Sequence, residues 1–347
     1  MRRFGILLPA SLLAVLLAAT PALACGGLIG PNGAVNLLRT TTLAGYHDGV
    51  EHYVTAFQFA GGGGAFGSIT PLPDVPTSVV KGGDWTLQRL IRETDPPLAA
   101  RLAAVPAASA ADGAEELMKV KIDALDLTVL RGGAADIGAW AKAHGFRLPP
   151  DAPEVLDFYA NRSPIFLAAA FDADAAAARG QQLGDGTPVH ITIPTDNPWV
   201  PLRILALGKS ANDQVQADVY LLTDDTPALL PKPLGVNGIR LDYSASASDS
   251  LLTDLRSDRG MEWIPSSGWL TKIAVDAAAG DLTYDLAIDV SGAGAPSRVD
   301  AGFELPSAQA VVGAFDARRF VLAIGFVLMG IAGIWLVART RPGPTLR

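Results

Sequence analysis

Nineteen consecutive residues without a charge, Phe320 to Ala338 (FVLAIGFVLMGIAGIWLVA), constrain this chain more than any other stretch. At about 1.5 Å of rise per residue, a helix of that length roughly matches the hydrocarbon core of a bilayer. The run predicts one C-terminal transmembrane helix, with residues 339–347 as a short tail. Arg339, Arg341 and Arg347 follow the span with no acid among them, which places the tail in the cytoplasm, although Arg318 and Arg319 on the other flank reduce the bias.

The other end agrees with that topology. Residues 1–24 open with Arg2 and Arg3, continue through FGILLPASLLAVLLAA and close on Ala22-Leu23-Ala24, the order of a secretory signal peptide. The mature chain then begins at Cys25, and the region from Cys25 to Phe315 lies on the extracytoplasmic side of a single-pass anchor in the cytoplasmic membrane. That region has one cysteine and so no internal disulfide; an ordinary apolar core must hold it together. Cys25 itself sits where it can carry a lipid, pair with another chain or stay a free thiol.

The chain carries a net charge of −8, and the exported region concentrates the acid, with 20 basic and 34 acidic side chains. Such a balance, about −14, repels phosphate backbones, and no basic cluster offsets it. Nucleic acid is therefore excluded as a partner. The expected partners are the cytoplasmic membrane, through the C-terminal helix, and an unidentified protein or envelope ligand.

Within the exported region, alternation and β-branched runs predict strands at Val35 to Leu43, Val50 to Phe59, Val120 to Leu130, Pro188 to Ile193 and Leu202 to Leu207. Further strands are expected at Val215 to Leu222, Gly238 to Tyr243, Leu270 to Val275 and Leu282 to Val290. Helices are expected at Asp84 to Arg92, capped by Asp84, and at Ala114 to Lys119, Ala134 to His144 and Pro153 to Asn161. The mixture predicts an α+β fold, β-rich, with antiparallel sheets and a few short helices. A subdivision is placed near residues 172–186, in the Ala/Gly/Asp-rich connector DADAAAARGQQLGDG.

The stretch AGYHDGVEHYVTAFQFAGGGG, Ala44 to Gly64, holds the densest candidate chemistry. Asp48-Gly49 is a favoured two-residue hairpin turn. It sets His47 opposite Val50, Tyr46 opposite Glu51 and Gly45 opposite His52. His47 and His52 then share one face on a diagonal, within reach of a common ion such as zinc, while Tyr46, Glu51, Tyr53, Phe57 and Phe59 line the other. Two imidazoles alone do not complete a catalytic zinc site, which takes three protein ligands and an open position. The same residues also read as a solvated hairpin tip with nothing bound, and no cofactor is required. The four glycines lack the Gly-Lys-Ser/Thr ending of a phosphate loop and suit a tightly curved connection. Trp263 and Trp269, about a Pro-Ser-Ser-Gly turn, are core anchors or an aromatic platform.

CGGLIGPNG after the signal, TTLAGYHDGVEHYVTAFQFAGGGGAFGSITPLPDVPTSVVKGGDWTLQRL next, VPLRI beyond the middle and the single C-terminal span together resemble the bacterial proteins grouped as domain of unknown function 2330. The resemblance implies an exported, membrane-tethered bacterial protein and carries no reaction, cofactor or catalytic residue with it. Two functional classes follow from the sequence. One is a binding, interaction or assembly module held outside the membrane; the other is an extracytoplasmic metal-assisted hydrolase using His47 and His52.

Overall fold

A computed structural model describes residues 27–30, 33–34, 40–58, 66–95, 115–178, 186–291 and 294–305. The expected signal peptide at 1–24, Cys25, Phe59, the four glycines and the apolar run at 320–338 lie outside these residues. Among the described residues no helix is long and apolar enough to cross a membrane. The chain through Phe303 forms one compact unit, and Glu304–Arg347 forms another.

The first unit contains two large sheets. The six-stranded sheet runs β2 (Gly33–Ala34), β1 (Gly27–Gly30), β5 (Phe66–Leu72), β9 (Ile165–Phe171), β8 (Leu125–Arg131), β7 (Glu115–Ile122), antiparallel throughout. The seven-stranded sheet runs β14 (Ile239–Ser246), β15 (Trp269–Ala278), β12 (Gln214–Thr223), β3 (Thr40–His47), β4 (Val50–Gln58), β10 (Gly186–Pro194), β6 (Ser78–Lys81). Its β3–β12 pair is parallel, so the sheet is mixed where antiparallel pairing was expected. Those two strands lie far apart in sequence, and no hairpin dictates their direction. A three-stranded sheet joins β11 (Trp199–Val200), β16 (Leu286–Asp289) and β13 (Ala228–Leu230).

Side-chain parity shows how the sheets stack. Leu127, Val129 and Leu167 of the six-stranded sheet share one apolar cluster with Tyr53, Ile191 and Val219 of the seven-stranded sheet. Their neighbours point the other way: Leu130 and Phe166 pack on Trp140 and Leu156, from α2 (Ala134–Ala143) and α3 (Ala152–Ala160). Leu43, Val54 and Tyr220 pack on Leu90 and Leu252, from α1 (Thr86–Thr94) and α5 (Asp249–Ser257). The layers therefore run helix, sheet, sheet, helix. Central strands are buried on both faces, which favours near-continuous apolar runs over alternation. The short helix α4 (Ala173–Ala178) begins the 172–186 connector, which carries the chain from β9 in one sheet to β10 in the other.

Three local expectations are corrected. Ala114 to Lys119 is not helical: Glu115–Ile122 is the strand β7, paired with β8 around a turn in which Asp123 takes φ 56°. As an edge strand it keeps Lys119 and Lys121 outward, a common way to blunt an edge. Leu202 to Leu207 is not a strand but contains a 3₁₀ turn, Arg203–Ala206. Here the buried Asp285 carboxylate accepts from the Leu202 and Arg203 amides at 2.7 and 3.0 Å, and the Tyr159 hydroxyl accepts from the Ile204 amide at 2.9 Å. Those donors are thereby taken out of any ladder. Finally, Asp84 does not cap α1. The buried Asp258 carboxylate holds the lead-in to the helix from 172 residues away, accepting from the Asp84 and Trp85 amides, each at 3.0 Å, and from the Thr86 hydroxyl at 2.8 Å. Asp84 instead pairs with Arg259.

Candidate functional site

The Asp48-Gly49 turn forms with positive φ at both positions, 50° and 78°, as a type I′ hairpin requires. The β3–β4 register follows from it: His47 lies opposite Val50, Tyr46 opposite Glu51, Gly45 opposite His52. His47 and His52 thus share a face, yet their rings take different partners. Across β4, the next strand pairs Thr192 with His52 and His190 with Val54. His190 therefore lies on the diagonal from His52 that points away from the hairpin tip, and His47 on the diagonal toward it.

His52 turns away from the tip. Its Nδ1 lies 2.9 Å from Nε2 of His190, and its ring stacks on the Trp263 indole at a centroid distance of 3.9 Å with the planes 1° apart. Gly45 makes the stack fit. A β-carbon there would sit 2.2 Å from the indole Cη2, so the residue opposite His52 has no side chain because Trp263 occupies that space. His47 is held separately at the rim, with Nδ1 2.7 Å from Asp224 and Nε2 3.4 Å from Asp48. His144 belongs elsewhere, stacked on Trp140 at the end of α2.

Burial governs the charge of the central pair. It lowers the His52 pKa to about 3, with further contributions from His190 and His47, and lowers His190 to about 4 against the opposing pull of the Gly260 backbone and Glu262. Both rings are neutral at physiological pH. One proton then lies in the His52–His190 hydrogen bond. Either ring can be the donor, because the roles depend on the tautomer. A cation could be held by both converging nitrogens if the shared proton moved to the far nitrogen of the ring that carries it, with no net proton released.

Metal geometry fits this pair with a small opening. Two imidazole nitrogens on a tetrahedral zinc, each about 2.0–2.1 Å from the ion, lie about 3.3 Å apart; here they are 2.9 Å apart. Because the His52 and Trp263 planes are parallel, an ion in the imidazole plane would lie no more than 3.9 Å above the plane of the indole. Among the described residues no three His, Cys, Asp or Glu side chains come together closely enough to hold an ion by themselves. An ion held by the two imidazoles would need water or a donor from a ligand at its remaining positions.

Directly beside His52, Glu51 points to the opposite face, into the layer between the sheets. It is fully buried, and neither carboxylate oxygen has a hydrogen bond of good geometry. The Trp199 amide lies near enough to favour the anion a little, but burial dominates and raises the pKa to about 8. Tyr46, opposite Glu51, donates to the Thr195 carbonyl at 2.8 Å.

The profile of a bacterial family described as "uncharacterized protein conserved in bacteria (DUF2330)" matches residues 19–228. The chain belongs to this family. The match includes His47, His52 and His190, while Trp263 lies beyond it. No curated protein matches the sequence. Solved structures similar to the chain include a mutated baculovirus P35 after caspase cleavage, 8% identical, covering 73% of this chain and 99% of that one at a TM-score of 0.39. A crystal structure of baculovirus P35 is 10% identical and covers 73% of this chain and 96% of that one, at a TM-score of 0.37.

His190 was present in the sequence only as an apolar-flanked residue of a predicted strand. Its pairing with His52 depends on β10 docking against β4 from 138 residues away, a register that no local signal encodes.

Proposed function

We propose that this DUF2330 protein is an extracytoplasmic binding module, anchored to the cytoplasmic membrane by its C-terminal helix, whose ligand centre is the His52–His190 pair beneath Trp263. The 2.9 Å approach of two neutral imidazole nitrogens carries this reading. Lone pairs that can be made to converge, with no charge to neutralise, suit a borderline metal ion such as zinc. An ion held by only two protein nitrogens keeps positions open for a donor supplied by a ligand or partner, which is the behaviour of a binding module.

The alternative, a metal-assisted hydrolase using His47 and His52, requires His47 to leave Asp224 and His52 to leave His190. The geometry favours the first reading.

Zinc uptake by the full chain in detergent micelles distinguishes them. The binding reading expects about one zinc per chain, lost in His52→Ala and in His190→Ala and retained in His47→Ala. Loss in His47→Ala with retention in His190→Ala would favour the hydrolase pair. No uptake by the unaltered chain would remove both metal readings.

A further inference from the structure

Large apolar side chains exposed among the described residues number seven, and four of them gather in one place. Leu234 (72% exposed) and Val236 (92%) tip the loop between β13 and β14, and Leu241 (46%) follows on β14. Backbone bonds hold this loop as a hairpin: the Gly235 amide donates to the Ile239 carbonyl at 2.7 Å, and the Leu241 amide to the Pro233 carbonyl at 3.3 Å. The fourth, Phe303 (44%), is joined to the loop through Tyr284, which donates to the Asn237 carbonyl and stacks on Phe303 at 6.1 Å.

The place of this patch in the chain suggests its occupant. Phe303 ends the first compact unit, and sixteen residues separate it from Phe320, the first residue of the apolar run. The patch therefore lies where the chain leaves the folded unit for its anchor, within the reach of a short tether. Its charges are mixed but include basic groups suited to a lipid headgroup layer: Lys232 flanks the loop, Arg298 lies 6.0 Å over the Phe303 ring, and Arg240 is paired with Asp242 at 2.7 Å. Apolar tips beside an aromatic pair and basic rims form the chemistry of an interfacial contact.

We propose that Leu234, Val236, Leu241 and Phe303 form a membrane-docking surface that seats the exported unit on the outer leaflet beside its own anchor. This rests on the anchored reading above. The bilayer holds the unit through the side chains at this end, so the histidine centre acquires a fixed relation to the membrane surface.

The test uses the full chain reconstituted in phosphatidylethanolamine/phosphatidylglycerol liposomes on a Cys25→Ser background, which removes the single native cysteine. An environment-sensitive fluorophore is attached at Val236→Cys or, as control, at Val80→Cys. Val80 is also apolar and exposed, but it lies on β6 at the opposite edge of the sheet from β14, six strand spacings or about 29 Å away. Docking predicts that nitroxide-labelled lipids quench the probe at 236 several-fold more than at 80. Equal, weak quenching at both positions in a chain that co-floats with the liposomes would overturn docking and leave the anchor intact. A blue-shifted probe at 236 that lipid does not quench would overturn it in favour of a protein contact. A chain that fails to co-float would overturn the anchored reading and this inference with it.

Discussion

Adjacent residues on β4 meet opposite environments. Glu51 enters the layer between the two sheets, where apolar side chains surround it and burial pushes its pKa up to about 8. His52, one residue on, enters the helix-covered face, where a strand from elsewhere in the chain supplies His190 and a loop supplies Trp263. Both groups are neutral at pH 7, one by holding a proton and the other by refusing one. Neutrality on the Glu51 side reflects exclusion of water alone. On the His52 side it also brings two neutral ring nitrogens within 2.9 Å of each other, sharing one proton between them.

The difference gives stability opposite pH dependence on the two faces. The raised Glu51 pKa makes its contribution complete below the ordinary value of 4.5 and lost as pH rises through about 8. At about 1.4 kcal/mol per unit, that loss is on the order of 5 kcal/mol above pH 8. Glu51→Gln removes it, so urea midpoints of the variant and the unaltered chain should diverge most at pH 9 and converge near pH 4. Parallel curves would mean that Glu51 is solvated.

The next largest effect comes from the indole stack. Gly45→Val must displace Trp263, and overpacking of this kind costs about 1–3 kcal/mol. It should also expose the indole, seen as a red shift in emission, whereas the same substitution at a glycine with open space around it would not.

On the histidine face the sign reverses. Native pKa values of about 3 and 4, below the ordinary 6.5, mean that the unfolded chain takes up protons first, so stability is complete above pH 6.5 and falls as pH drops toward 4. His190→Gln should flatten part of that acid limb without altering the alkaline one, as read from thermal unfolding across pH 4–8. The smallest effect belongs to the rim. The His47–Asp224 pair is partly exposed, and His47→Ala should cost less than about 1 kcal/mol. A larger loss in denaturant titration would place His47 in the core of the site.

Local chemistry was legible in the sequence, and long-range chemistry was not. The Asp48-Gly49 turn gave the β3–β4 register residue by residue, because two positions of positive φ determine a hairpin. The strand β9, IFLAAAF, shows no alternation because both of its faces are buried, so its period carries no signal. Asp258 at the lead-in to α1, Asp285 beneath the 203–206 turn and His190 beside His52 all act across more than 80 residues of sequence. Each is an isolated polar residue until the fold brings its partner close.

The most direct test of the His52–His190 centre is nitrogen NMR of the four histidine rings in the full chain in micelles, at pH 6 and with added zinc. The account predicts that His52 and His190 are neutral at pH 6, and that zinc shifts His52 Nδ1 and His190 Nε2 together while His47 and His144 stay unchanged. A charged His52 or His190 at pH 6, or a zinc shift that falls on His47 and spares His190, would contradict it.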